Sequence, residues 1–187
     1  PFMFFMIIPS LKFFILHRFQ ILLYNDSYKQ DIYRILFDTL FNNIGIFLLL
    51  IYMNQFGILY QYLSSIVIAS SLGFMLFHNQ HTFNPAYVVT NDKWNKKDSG
   101  LIGSSFIQIP NYLKYFTSGI EYHHIHHMNA SIPGYNLKRY HEDNIDELNI
   151  TKLSMNDCYH NLWLTLYDED QDRYISFKEA DAKIKAM

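Results

Sequence analysis

The chain has 187 residues, half of them hydrophobic and 18% aromatic, and only 17% are charged, below the ~25% usual in soluble domains. A net charge of -2 does not suggest nucleic acid as a partner, and the single cysteine, Cys158, excludes an internal disulfide and a cysteine-based zinc finger. It reads as an ordinary reduced thiol.

The apolar residues are unevenly placed: long apolar runs fill residues 1–77, and most of the charge and histidine falls in 78–187. The opening PFMFFMII lacks the basic n-region of a signal peptide and starts at Pro1 rather than Met, so it reads as a truncation of a longer protein. Residues 1–24 are apolar but interrupted by Pro9, Lys12, His17 and Arg18. A charge at mid-bilayer costs roughly 2.5–3.5 kcal/mol, so a helix at the interface is expected there rather than a clean span. Residues 25–34 form a polar connection.

Two better spans follow, Leu36–Met53 and Ile58–Phe77, separated by Asn54-Gln55-Phe56-Gly57. Each approaches the ~20 apolar residues needed to cross the hydrocarbon core, and together they predict a transmembrane helical hairpin. The turn between them carries no Lys or Arg, whereas Arg18, Lys29 and Arg34 precede it and Lys93, Lys96, Lys97, Lys114, Lys138 and Arg139 follow. That asymmetry predicts cytoplasmic flanks. The expected fold class is therefore all-α: an integral membrane helical protein with a cytoplasmic, His-rich helical cap. The expected organisation is one domain over 1–187, with membrane helices to residue 77 and a metal-binding cap and tail over 78–187. Ser99–Ile109 is apolar but too short to cross, Asp143–Asn149 is acidic, and no internal repeat is present.

Six of the nine histidines fall in two tight groups. His78 and His81 stand at i and i+3, where the second span leaves the bilayer, so a continuing helix gives them one face. His123-His124-Ile125-His126-His127 repeats that spacing and adds neighbours. Neutral imidazole is the commonest metal-binding side chain, and imidazole clusters suit zinc, copper, iron or nickel. The candidate metal ligands are His78, His81, His123, His124, His126 and His127. His17, His141 and His160 read as ordinary surface or core histidines. A zinc hydrolase is disfavoured by the lack of HExxH, and a haem protein by the density of the runs.

HNQHTF at His78–Phe83, then Trp94, Gly103-Ser104-Ser105, Ile109-Pro110, YHHIHH at Tyr122–His127, IPGYNL at Ile132–Leu137 and His141 together resemble the membrane fatty acid desaturases, most closely the acyl-lipid, omega-6 type. The resemblance is densest over residues 72–141. It implies an oxygen-dependent oxidoreductase that introduces a cis double bond into an acyl chain at a non-haem centre of two iron ions. Dioxygen is implied as co-substrate, an acyl-lipid or acyl-CoA as substrate, and ferredoxin or cytochrome b5 as electron donor. By resemblance, His123, His126 and His127 map onto the last histidine box, His81 and His78 onto the ligand position after the last span, and His124 onto the box as ligand or outer partner. Two earlier boxes of the family have no counterpart in this sequence, so the chain alone is expected to be inactive. Glu121 replaces a residue that is often Gly in the family and is expected to face solvent, the alternative being a buried acid that orients a ligating imidazole. Residues of Ile58–Phe77 are candidates to line an acyl tunnel. Related hydroxylases share the resemblance.

A different signal lies in the tail. Asp168–Glu179 places acids at positions 1, 3, 5 and 12 of an EF-hand-like calcium loop, but Arg173 occupies position 6, where that loop needs Gly. The segment is expected to be a solvated turn; the alternative is a calcium-binding membrane protein without catalysis.

Overall fold

The computed structural model describes residues 12, 32–144 and 150–186. The interfacial helix expected over 1–24, with His17 and Arg18, lies outside the described residues, as does most of the acidic stretch after Asp143.

Helix α1 spans Ile32–Gln55 and α2 spans Leu59–His81; both are long and apolar enough to cross a membrane. Compared with the sequence expectation, α1 starts one turn earlier and α2 runs one turn further, through both histidines. Between them Gly57 adopts φ 68°. Its N–H donates to Asn54 O at 3.1 Å and Ile58 N–H to Met53 O at 3.0 Å, the paired bonds of a glycine-terminated helix. Polar side chains in both helices bond inward. Asn42 and Asn43 donate to the carbonyls of Asp38 and Thr39, and Ser65 and Ser70 to those of Gln61 and Ile66. The apolar side chains are left outside: α1 buries no residue, and α2 buries only Asn79 and Gln80 near its end.

The chain divides into two compact units, Pro1–Phe74 and Met75–Met187. In the second, α3 (Lys96–Leu101) starts at Asn95, whose side chain accepts from Asp98 N–H. Strand β1 (Ser105–Ile107), helix α4 (Lys114–Thr117) and a 3-10 turn (Ile120–Tyr122) lead to α5 (His123–Met128). Then come α6 (Gly134–Asp143), β2 (Thr151–Leu153) and α7 (Met155–Asn161). Ser154 and Asp157 close a reciprocal cap on α7. The tail is β3 (Leu166–Asp168), β4 (Arg173–Ile175) and α8 (Phe177–Ala186).

The protein is mostly helical, as the sequence predicts, with two small two-stranded sheets added. Strands β1 and β2 pair in parallel, Ser105 with Thr151 and Ile107 with Leu153; β3 and β4 pair antiparallel. Because strand side chains alternate between faces, β1 serves two cores. Ile107 packs with Phe83, Ile109, Leu153 and Cys158. Phe106 packs instead against Leu101, Tyr122, Ile125 and Leu137. Burial pushes the Cys158 thiol up to about 11, consistent with an inert core thiol.

The tail is more ordered than a solvated turn. Asp172 takes φ 49° at the hairpin, a conformation that Asp tolerates better than most residues. Asp168 pairs with Lys183 and Glu179 with Arg173, while the Tyr167 hydroxyl donates to Asp172 at 2.5 Å. Asn84 holds the hairpin: its amide donates to Tyr174 O and its oxygen accepts from Tyr174 N–H. Three of the four loop acids at calcium-ligand positions therefore already have partners.

A Cβ at Gly103 would lie 2.7 Å from Ser99 O and 2.8 Å from Tyr87 Cδ1. Since the first of these is backbone, Gly103→Ala should lower stability by about 1–3 kcal/mol, read as a lower unfolding temperature in detergent. Calcium titration of the protein should give no saturable change in tail structure by circular dichroism.

Candidate metal centre

The last turn of α2 and the short helix α5 supply the site. In a helix, residues four apart share a face, so His123 and His127 project together from α5, and His81 meets them from α2. The Nε2 atoms of His81 and His123 are 3.0 Å apart, as are those of His127 and His123. Among the described residues these three histidines form the one group whose ligand atoms all lie within 4.8 Å of one another.

Hydrogen bonding alone does not account for this convergence. An imidazole nitrogen has one in-plane position, filled either by a lone pair or by a hydrogen, so His123 Nε2 cannot satisfy two partners. A metal ion can. Neutral imidazole nitrogens gathered this closely are the kind of donor set that a metal ion would take. The half-buried rings are also in the right charge state. Burial, reinforced by His127, His81 and His126, pushes His123 down to about 3, and burial likewise lowers His127. Both are neutral at pH 7, as metal ligation requires. The donor set is therefore compatible with a metal of the imidazole-preferring kind.

The other histidines of the two groups go elsewhere. His78 turns its Nε2 to the Asn161 carbonyl, 3.1 Å away, so the i, i+3 pair of α2 does not converge on one point. His126 is exposed, with its ring stacked on His123 at a centroid distance of 5.6 Å. His124 is fully buried and meets His141, Nε2 to Nδ1, at 3.0 Å. Helix geometry explains the split. At 100° per residue, His124 and His126 flank the His123–His127 face on opposite sides, and Ile125 points to the back, into the core.

Several residues that the histidine pattern did not single out hold this arrangement. Gln80 is fully buried, and its amide donates to Ile120 O at 2.6 Å, tying the end of α2 to the turn before α5. Gly100 lets α3 approach α5: a Cβ there would stand 3.0 Å from Met128 Cγ and 3.3 Å from Met128 N. Phe77 sets its ring edge-on to His81 at 5.0 Å. Glu121, expected in solvent, is 2% exposed and accepts from the Thr117 hydroxyl at 2.7 Å. The cause is the turn Ser118-Gly119, both in the left-handed region, which folds the chain back before α5. The sequence signal that marks Gln80 is its place between two candidate ligands on an otherwise apolar helix end.

The sequence profile of the family described as "Fatty acid desaturase" matches residues 1–159. A protein named "Fatty acid desaturase" from Bacillus subtilis (strain 168) is 33% identical over 112 residues, 60% of this chain and 32% of that protein. The matched part thus spans about a third of that relative's length. No solved structure matches. All three converging histidines lie inside the matched family region, and the chain belongs to the fatty acid desaturase family.

Proposed function

We propose that the protein is an oxygen-dependent acyl desaturase of the omega-6 acyl-lipid type, acting at a non-haem centre of two iron ions. The observation that carries the proposal is the convergence of His81, His123 and His127 nitrogens in a chain of this family. In this reading α1 and α2 cross the membrane, and residues 78–187 form a cap on its cytoplasmic side, joined with the helices in one catalytic domain. The exposed apolar surface of both helices and the distribution of Lys and Arg support it.

Bound at this site, the iron pair would supply what no side-chain acid or base can: removal of two hydrogens from adjacent acyl carbons, with dioxygen as oxidant, two electrons from a ferredoxin or cytochrome b5 and two protons from solvent, and two molecules of water as the other product. The chain's own residues have simpler tasks. His81, His123 and His127 would hold one ion. His126, exposed beside them, and His78, on the next helical turn from His81, are the nearest candidates toward the second, and further ligands are required beyond these. Gln80 fixes the distance between the two ligand-bearing elements. Phe77 walls the site with an apolar ring, as a site for a hydrocarbon chain needs. In this reading, acyl-lipid or acyl-CoA reaches the site along α2.

Two experiments test the proposal. In the intact protein, His123→Ala should weaken Fe(II) binding by more than the roughly 10–100-fold typical of losing an outer-shell partner, measured as iron retained after anaerobic loading and desalting. Undiminished iron would exclude His123 as a ligand. His126→Ala should abolish desaturation while leaving membrane insertion intact. Mass spectrometry of the acyl product reads the reaction class: loss of two hydrogens fits the proposal, and gain of one oxygen would assign a hydroxylase instead.

A further inference from the structure

We infer that His141 is a positioning residue for the metal centre, fixing the rotation of α5 through His124; this rests on the metal-site reading above. Helix α5 has six residues, and its N-cap Tyr122 makes no side-chain capping bond. So short a helix has little to define its own orientation, yet His81, His123 and His127 meet only at one rotation of it. His124 leaves α5 on the buried flank, with its Nε2 3.0 Å from His141 Nδ1. Among the described residues His124 Nδ1 is buried without a hydrogen-bond partner. That orphan selects the tautomer. With His124 Nε2–H donating to His141 Nδ1, the atom left alone is a lone pair, which interiors tolerate better than an unpaired N–H.

His141 is itself firmly held. It is 4% exposed, stacked on Phe106 at 4.7 Å with an interplanar angle of 20°, and 5.2 Å from the Tyr122 ring. Phe106 in turn belongs to β1, fixed by its pairing with β2. The imidazole pair thus links α6 and the parallel sheet to the flank of α5. An apolar pair of the same volume would fill the space but carry no direction, whereas a hydrogen bond is favourable only near linearity.

The test uses the intact protein in detergent, titrated anaerobically with Fe(II), with the unfolding temperature recorded for each variant. The control is Leu137→Ala, which removes a buried side chain from the same helix and the same core. His141→Ala should weaken iron binding about 10–100-fold, with Leu137→Ala and His141→Asn both within about threefold of wild type. Asn places its Oδ1 where the His141 Nδ1 stood and so restores the acceptor. Equal iron affinity in His141→Ala and Leu137→Ala, or no rescue by Asn, overturns the inference. If His141→Ala does not fold, the same reading is taken from His141→Asn against His141→Leu, which fills the space without an acceptor. Iron bound by no variant, wild type included, sinks the metal-site reading itself; iron bound equally by all sinks only the role of His141.

Discussion

A ring nitrogen can satisfy one neighbour in its plane, and His123 Nε2 has two at 3.0 Å. That crowding is imposed by the structure around it. Three neutral rings held this close gain little from one another, so the surrounding structure must keep them together when no ion does. The tie from Gln80 to Ile120 sets the end of α2 against the turn before α5. The missing side chain at Gly100 lets α3 close on α5 from another side. Burial of the Gln80 amide without that bond would cost about 1–3 kcal/mol, so its loss would penalise the fold and the site together.

The run HHIHH divides its residues among three environments. His123 and His127 face the site, His124 and Ile125 face the interior, and His126 faces outward. Four chemically identical side chains thus carry different tasks, set by helical angle alone. On the proposed metal-site reading, substitution at His124 should act through orientation and stability, and substitution at His123 through ligation. The two effects are separable because one ring is fully buried and the other only half-buried.

The sequence made part of this legible. Apolar length located α1 and α2 to within one turn, and Gly57 marked the break because it supplies the positive φ that the helix end needs. Histidine spacing pointed to six candidates, of which His81, His123 and His127 converge. Other features were not local and left no local signal. Strands β1 and β2 are three residues each, and the pairing of Ser105 with Thr151 joins distant parts of the chain; no alternation over three residues distinguishes such a strand from a loop. His78 looked equivalent to His81 by spacing, but its direction is set by the Asn161 carbonyl, 83 positions away. Glu121 looked exposed because isolated acids usually are, and only the chain reversal at Ser118-Gly119 buries it. His141 looked ordinary because its partner, His124, belonged to another motif.

The tail gives the same lesson in reverse, since there a motif promised more than the fold uses. Counting acids at EF-hand positions finds ligands at 1, 3, 5 and 12, but a calcium loop needs those oxygens turned inward and free. Here the hairpin turns at Asp172 instead of at a glycine, and Arg173 stands where the glycine would be. Its guanidinium takes Glu179, the residue at position 12, and Lys183 of the following helix takes Asp168, the residue at position 1. Cations supplied by the chain thus occupy the two carboxylates at the ends of the loop. A calcium ion would have to displace both ion pairs and the Tyr167 bond to Asp172 to gain all three of these ligands. The acids stabilise the turn between β3 and β4, and Asn84 fastens that turn to the segment just after the histidine-bearing end of α2.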